Sequence, residues 1–168
     1  MITHAELVYR PGERALARRV LELLGCRVSD RGGAFFSAFV DPGVSDYRTN
    51  VLYASEVTPE QWAFEGTLGP GPERAAWRER LGRHPQTSCH FGIRVPELAD
   101  LEAALAAIGG AGAGDPELAG RIEVLAVYRP GDPDAATDTM VQAFVRTDVL
   151  ACGLLTLGQV VELQWHTP

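Results

Sequence analysis

Lysine is absent from this chain: all 15 basic residues among its 168 are arginine. That excludes a Schiff-base lysine and the lysine of a phosphate-binding P-loop. Runs of basic residues are missing as well. With 22 acidic residues against 15 basic ones the net charge is -7, and nothing tracks a phosphate backbone, so nucleic acid is not an expected partner. Long apolar stretches are also lacking; the longest fall well short of the roughly 20 residues that span a bilayer. The opening MITHAELVYR has no charged segment followed by an apolar one, so the expectation is a soluble, cytoplasmic protein without membrane contact. Cysteine is scarce and odd in number. Cys26, Cys89 and Cys152 show no C-x-x-C spacing, which argues against a disulfide framework and a structural zinc site and predicts three buried free thiols.

What is present is 46% apolar residues, enough for one core or two small fused ones. The segment ITHAELVYR alternates like a strand. PGERALARRVLELLG then places Ala15, Leu16, Val20, Leu23 and Leu24 at helical spacing and closes on Gly25. CRVSD, AFFSAFV and VLYASEV follow as three short β-type runs, giving βαβββ. The same order returns: SCHFGIRV as strand, ELADLEAALAAI as helix ended by a Gly/Ala-rich stretch, then RIEVLAVYR, MVQAFVRTDVL and LTLGQVVELQW as strands. The chain thus reads as an internal duplication of α+β class, with a first module at 1–65, a linker at 66–86 and a second module at 87–168. Within the linker, Glu73 to Leu81 is a polar, helix-like segment between Gly/Pro-rich ends. The loop GDPDAATD is a surface excursion.

One histidine falls in the first strand of each half and one glutamate in the last: His4 and Glu56, then His90 and Glu162. Each sits in a mostly apolar strand, where an ionisable side chain on a buried face needs a partner or a ligand. Two imidazoles and two carboxylates suit one divalent ion per site (Ni, Zn, Co, Mn or Fe), and four ligands on an octahedral ion leave two open positions. Glu6, Arg10 and Arg94 share strand parity with the histidines, and Arg94 is a candidate clamp for an anionic substrate group. His84 lies in the linker beside Pro85; His166 shares parity with Glu162.

The duplicated order together with His4, Glu56, His90 and Glu162 resembles the vicinal oxygen chelate superfamily, the glyoxalase/bleomycin resistance/dioxygenase group, and is most similar to its glyoxalase I-type members. The resemblance covers nearly the whole chain. It implies two βαβββ modules whose curved mixed sheets form an open barrel around a divalent metal, and pairing of two chains as a homodimer. It also implies chelation of a small oxygenated metabolite, an enolate or enediolate stabilised by the ion, and proton transfer by Glu56 or Glu162, in the manner of a lyase or isomerase. The first helix lacks the Phe-Tyr pair before Leu-Gly that many members carry, which argues against glutathione as a cosubstrate.

Two other functions fit the same residues. An iron-dependent extradiol-type dioxygenase needs two histidines and one carboxylate with open positions. A metal-free resistance protein would sequester a cationic drug of the bleomycin type, favoured by the negative charge, with Trp62, Trp77 and Trp165 available for stacking.

Overall fold

The structure is a computed structural model that describes residues 3–167. In β1 (His4–Tyr9) the alternation HAELVY buries Leu7 and Tyr9 and leaves His4 and Glu6 exposed. The chain turns through Pro11-Gly12, where Gly12 takes φ 77, a left-handed conformation suited to glycine. It then enters α1 (Arg14–Leu23), which buries Leu16, Ala17, Val20 and Leu21. β2 (Arg27–Ser29), β3 (Phe35–Phe39) and β4 (Val51–Glu56) complete the first sheet, with β4 returning parallel to β1.

The second half repeats the order: β5 (His90–Arg94), α4 (Leu98–Gly114), β6 (Ile122–Tyr128), β7 (Met140–Thr147) and β9 (Gln159–His166), with β9 parallel to β5. The Gly/Ala-rich stretch expected to end α4 is instead helical through to Gly114. Close packing explains this at Gly112, where a Cβ would stand 2.4 Å from the carbonyl oxygen of Ile122.

Two elements depart further from the sequence reading. The run MVQAFVRTDVL is not one strand: β7 stops at Thr147, whose Oγ1 accepts a hydrogen bond from Val149 N at 3.1 Å. This turn sends Leu150–Ala151 out as β8, antiparallel to β1 of the first sheet. The sheets therefore run β2-β3-β4-β1-β8 and β5-β9-β7-β6, curled but not closed. The second departure is α2 (Pro59–Gly66), capped by Thr58 Oγ1 accepting from Gln61 N and started by Pro59. The expected linker helix forms as α3 (Pro72–Arg83). Glu65 of α2 is buried. Burial pushes its carboxyl up, but hydrogen bonds from Gln61 Nε2 and Thr156 N outweigh that and hold it below its ordinary range. α2 is thereby tied to the β8–β9 connection, Gln61 also donating to Gly153 O.

One face of each sheet packs on helix: Leu7, Tyr9, Leu52 and Ala54 meet α1, and Ile93, Val161 and Leu163 meet α4, in one continuous core. Ion pairs stitch the halves together at its edge. Arg121 donates to both carboxylate oxygens of Glu13 at 2.8 Å and to Asp148 at 2.8 Å, and Arg19 reaches Asp115 and Glu117. Cys26 is buried, and burial pushes its thiol up to about 12. Cys89 and Cys152 are exposed, which corrects the expectation of three buried thiols.

Candidate functional site

Strand register fixes which side chains meet on the faces turned away from α1 and α4. In the second sheet His90 lies opposite Val160, and Gly92 lies opposite Glu162, which is itself opposite Phe144 of β7. The pleat then places His90, Glu162, Phe144 and Gln142 on one face. His90 Nε2 stands 3.2 Å from Glu162 Oε2, Gln142 Nε2 donates to Glu162 Oε1, and His90 Nδ1 lies 2.8 Å from Ser88 O. A carbonyl only accepts, so Nδ1 carries the proton of that bond. A neutral His90 therefore turns a lone pair toward Glu162. Two acceptors at that distance require a shared proton or a cation between them. The ring of His90 meets Phe144 edge-on at 5.4 Å, and Glu162 is 4% exposed. Helix α3 covers this face: Leu81 is buried against Phe144 and Val160, with Trp77 packed beside it.

In the first sheet His4 lies opposite Val51, and Glu6 lies opposite Tyr53. The Glu6–Tyr53 rung therefore corresponds to Gly92–Glu162, with the carboxylate moved from the fourth strand of the module to the first. Ser55 Oγ donates to Glu6 Oε1 at 2.6 Å. Tyr53 meets His4 edge-on at 5.5 Å and Phe35 at 5.5 Å, and Phe35 is 51% exposed. No helix covers this face among the described residues. It is an open patch of three rings around one oriented carboxylate.

Glu56 is elsewhere. It lies opposite Tyr9, five residues along the strand from the position opposite His4 and on the other face, which separates the two by about 17 Å along the sheet. Its Oε2 accepts from Gly12 N at 2.9 Å and closes the β1–α1 turn. The structure thus brings His90 and Glu162 together but leaves His4 and Glu56 apart. Among the described residues no three His, Cys, Asp or Glu side chains gather as a metal centre. The expected four-donor set does not assemble within one chain, and only His90 and Glu162 fit as a donor pair. Arg94 also stands apart, exposed and lining a cleft of about 840 Å³ between α1 and α4 rather than the His90 rung. Arg10 pairs with Asp148, and His166 is exposed at the end of β9. The carbonyl of His84 accepts from Ser88 Oγ.

Sequence reasoning missed Tyr53, Phe35, Ser55, Gln142 and the covering role of α3. Parity was the available signal: in VLYASE the buried Leu52 and Ala54 share a face with Glu56, so Tyr53 and Ser55 are the residues that share His4's face.

Two βαβββ modules with this strand order and two unclosed sheets define a glyoxalase-like fold. A solved structure supports that class. A protein assigned by name to the glyoxalase family, from Bacillus anthracis, aligns over 99% of this chain and 95% of its own with TM-score 0.51 at 12% identity. A glyoxalase/bleomycin resistance protein/dioxygenase from Alicyclobacillus acidocaldarius aligns over 98% and 90% (TM-score 0.45, 11% identity), and UcmS2 over 98% and 96% (TM-score 0.45, 13% identity). No protein-family model matches the chain, and no curated protein matches it in sequence.

Proposed function

We propose that this protein binds a small aromatic organic cation on the open face of its first sheet, as a metal-independent sequestering protein of the bleomycin-resistance kind. The observation that carries this reading is the Glu6 carboxylate, oriented by Ser55 and bordered by the rings of Tyr53, Phe35 and His4 on an uncovered face. Aromatic faces beside a fixed anion recognise organic cations through cation–π attraction and charge pairing, each worth about 0.5–2 kcal/mol. The net charge of -7 draws such a ligand toward the protein. Isothermal titration with metal-free bleomycin and with N-methylacridinium tests the reading. Micromolar binding that weakens about tenfold in Glu6→Gln and in Tyr53→Ala supports it; absence of heat with both probes overturns it.

A second reading, a divalent-metal-dependent lyase or isomerase acting on a small oxygenated metabolite, is favoured by one feature: the His90–Glu162 contact, which calls for a proton or a cation. There His90 and Glu162 would hold the ion, Glu162 would carry the transferred proton, and further donors would come from outside this chain, as in a homodimer. Bound, the ion would supply Lewis-acid stabilisation of an enolate-type oxyanion. Elemental analysis of protein purified without chelator decides it. Near-stoichiometric metal lost in His90→Ala and Glu162→Ala supports the enzyme, whereas a chain that stays metal-free after incubation with Ni, Zn, Co, Mn and Fe salts removes it.

A further inference from the structure

We propose that the bare outer edge of β5 takes an extended apolar peptide of a partner protein, flanked by basic residues, as an added antiparallel strand in the cleft between α1 and α4. The site lies apart from the open face of the first sheet and rests on neither reading above. The molecule carries its own template for it. His4 lies opposite Val51 as His90 lies opposite Val160, so Val8 and Tyr9 of β1 correspond to Arg94 and Val95. In the first module that edge is filled by β8, with Ala151 opposite Val8 and Leu150 opposite Tyr9, both buried. In the second, β5 is the last strand of its sheet and no strand among the described residues lies beyond it. Val95 N donates to Gln164 O at 2.7 Å, so Val95 turns its backbone groups toward β9, and by alternation those of Gly92 and Arg94 point outward. Both residues are exposed, and among the described residues no hydrogen bond reaches these outward groups. The cleft of about 840 Å³ opens at this stretch, with Ile93, Arg94 and Val95 in its lining.

The chain's own counterpart of β8 is diverted. Phe39 lies opposite Val51 as Arg146 lies opposite Val160, so counting along the chain puts Gly43 and Val44 in the places of Leu150 and Ala151. Their groups are already used: Gly43 N donates to Asp41 Oδ1 at 2.8 Å and Val44 N to Asp41 O at 3.1 Å, while Arg27 donates to the carbonyls of Pro42 and Val44 at 2.8 Å. The seat is left for another chain. Addition of an extended segment to such an edge gains main-chain hydrogen bonds, and pockets for alternate side chains set what it accepts. Leu150 joins the core beside Tyr9. The matching side of the cleft is apolar, lined by Leu23 and Leu24 of the first module and Ala104 and Ala107 of α4, and takes a leucine-sized side chain opposite Val95. Glu22 and Asp100 also line the cleft and have no ion pair among the described residues, which complements a basic residue beside the apolar pair. A lone strand enters between these walls, whereas the β5 edge of a second copy is recessed between walls of its own.

Fluorescence anisotropy with the full chain and a labelled peptide, RTVLATR, which sets the β8 pair Leu-Ala between arginines, tests the proposal. Micromolar binding is expected, weakening as salt is raised. Arg94→Pro removes an outward N–H that bonds nothing in the free protein, and an edge strand accepts proline there, so this variant is expected to fold as wild type and to bind at least about tenfold more weakly. Arg94→Ala keeps the N–H and is expected to bind within about twofold of wild type. Hydrogen exchange adds a readout independent of Arg94→Pro folding: the amides of Gly92 and Arg94 are expected to exchange fast in the free protein and to slow at least about tenfold with saturating peptide. Absence of binding, equal affinity of Arg94→Pro and Arg94→Ala, or protection of these two amides before peptide is added overturns the proposal. So does a wild-type dimer in sedimentation that Arg94→Pro converts to monomer, because a second copy then holds the edge.

Discussion

Replacing Arg121 by methionine keeps most of the aliphatic stem and removes the guanidinium that joins the two halves. Three hydrogen bonds disappear, two to Glu13 and one to Asp148, each 2.8 Å long. The three side chains are 21%, 27% and 21% exposed, so solvent screens the charges only partly. Allowing about 1 kcal/mol for each bond after that screening gives a loss of about 3 kcal/mol. For a chain of this length that corresponds to a fall in thermal midpoint of about 6–12 °C. Asp148 retains Arg10 at 3.2 Å, whereas Glu13 is left without a cation. The assay is differential scanning calorimetry, with Arg48→Met as control: Arg48 is 88% exposed and pairs, among the described residues, with Asp46 two residues away, so its loss is expected to move the midpoint by less than about 1 °C. The unfolding of Arg121→Met is also expected to remain a single transition, because one continuous core takes residues from both halves. A midpoint within about 2 °C of wild type would mean that the guanidinium does not hold the halves together, and two resolved transitions would refute the shared core.

Two further outcomes follow from titratable groups. Hydrogen bonds from Arg14, then from Gly32 N, hold the Asp30 carboxyl at about 2, so its contribution to stability is complete above its unfolded value near pH 3.9 and is lost as pH falls from there toward 2. Urea unfolding of wild type and Asp30→Asn should therefore show a gap at pH 5 that narrows by pH 2.5; a constant gap would contradict the assignment. With Cys26 buried and its thiol near 12, Ellman's reagent at neutral pH should titrate two thiols quickly, Cys89 and Cys152, and the third only on unfolding. Three fast thiols would place Cys26 outside the core.

The duplication was legible because helix and strand periods differ and the same order of periods occurs twice; in the first half Leu7 and Tyr9 alternate with His4 and Glu6, and Leu16, Val20 and Leu24 mark the helix that follows. Tertiary pairing was not. Leu150–Ala151 reads as the tail of β7, and only the Thr147–Val149 turn and the free edge of β1 make it a strand of the other sheet. α2 was hidden because WAFE within PEQWAFEG carries no clear apolar stripe; its signal was the Thr58-Pro59 start. At the site, the symmetric placement of His and Glu in the sequence held only for the second half. Chain position does not fix register, and a glutamate three residues beyond the matching rung changes both face and depth.

That difference of register gives the sharpest test of where binding occurs. Glu56 and Glu6 are both carboxylates on paired strands of the first sheet, and both accept a hydrogen bond, yet Glu56 serves the backbone of a turn through Gly12 N whereas Glu6 faces open space among rings. Glu56→Gln retains an acceptor for Gly12 N, so it is expected to alter stability by less than about 1 kcal/mol. It is also expected to leave the affinity for an aromatic cation within twofold of wild type. Glu6→Gln retains the bond from Ser55 and removes only the charge, so it is expected to fold as wild type and to lose about tenfold in affinity. Paired titrations of the two variants with N-methylacridinium measure the contrast directly. Loss of binding in Glu56→Gln with retention in Glu6→Gln would place the cation at the β1–α1 turn beside Gly12 and overturn its assignment to the face that carries Glu6.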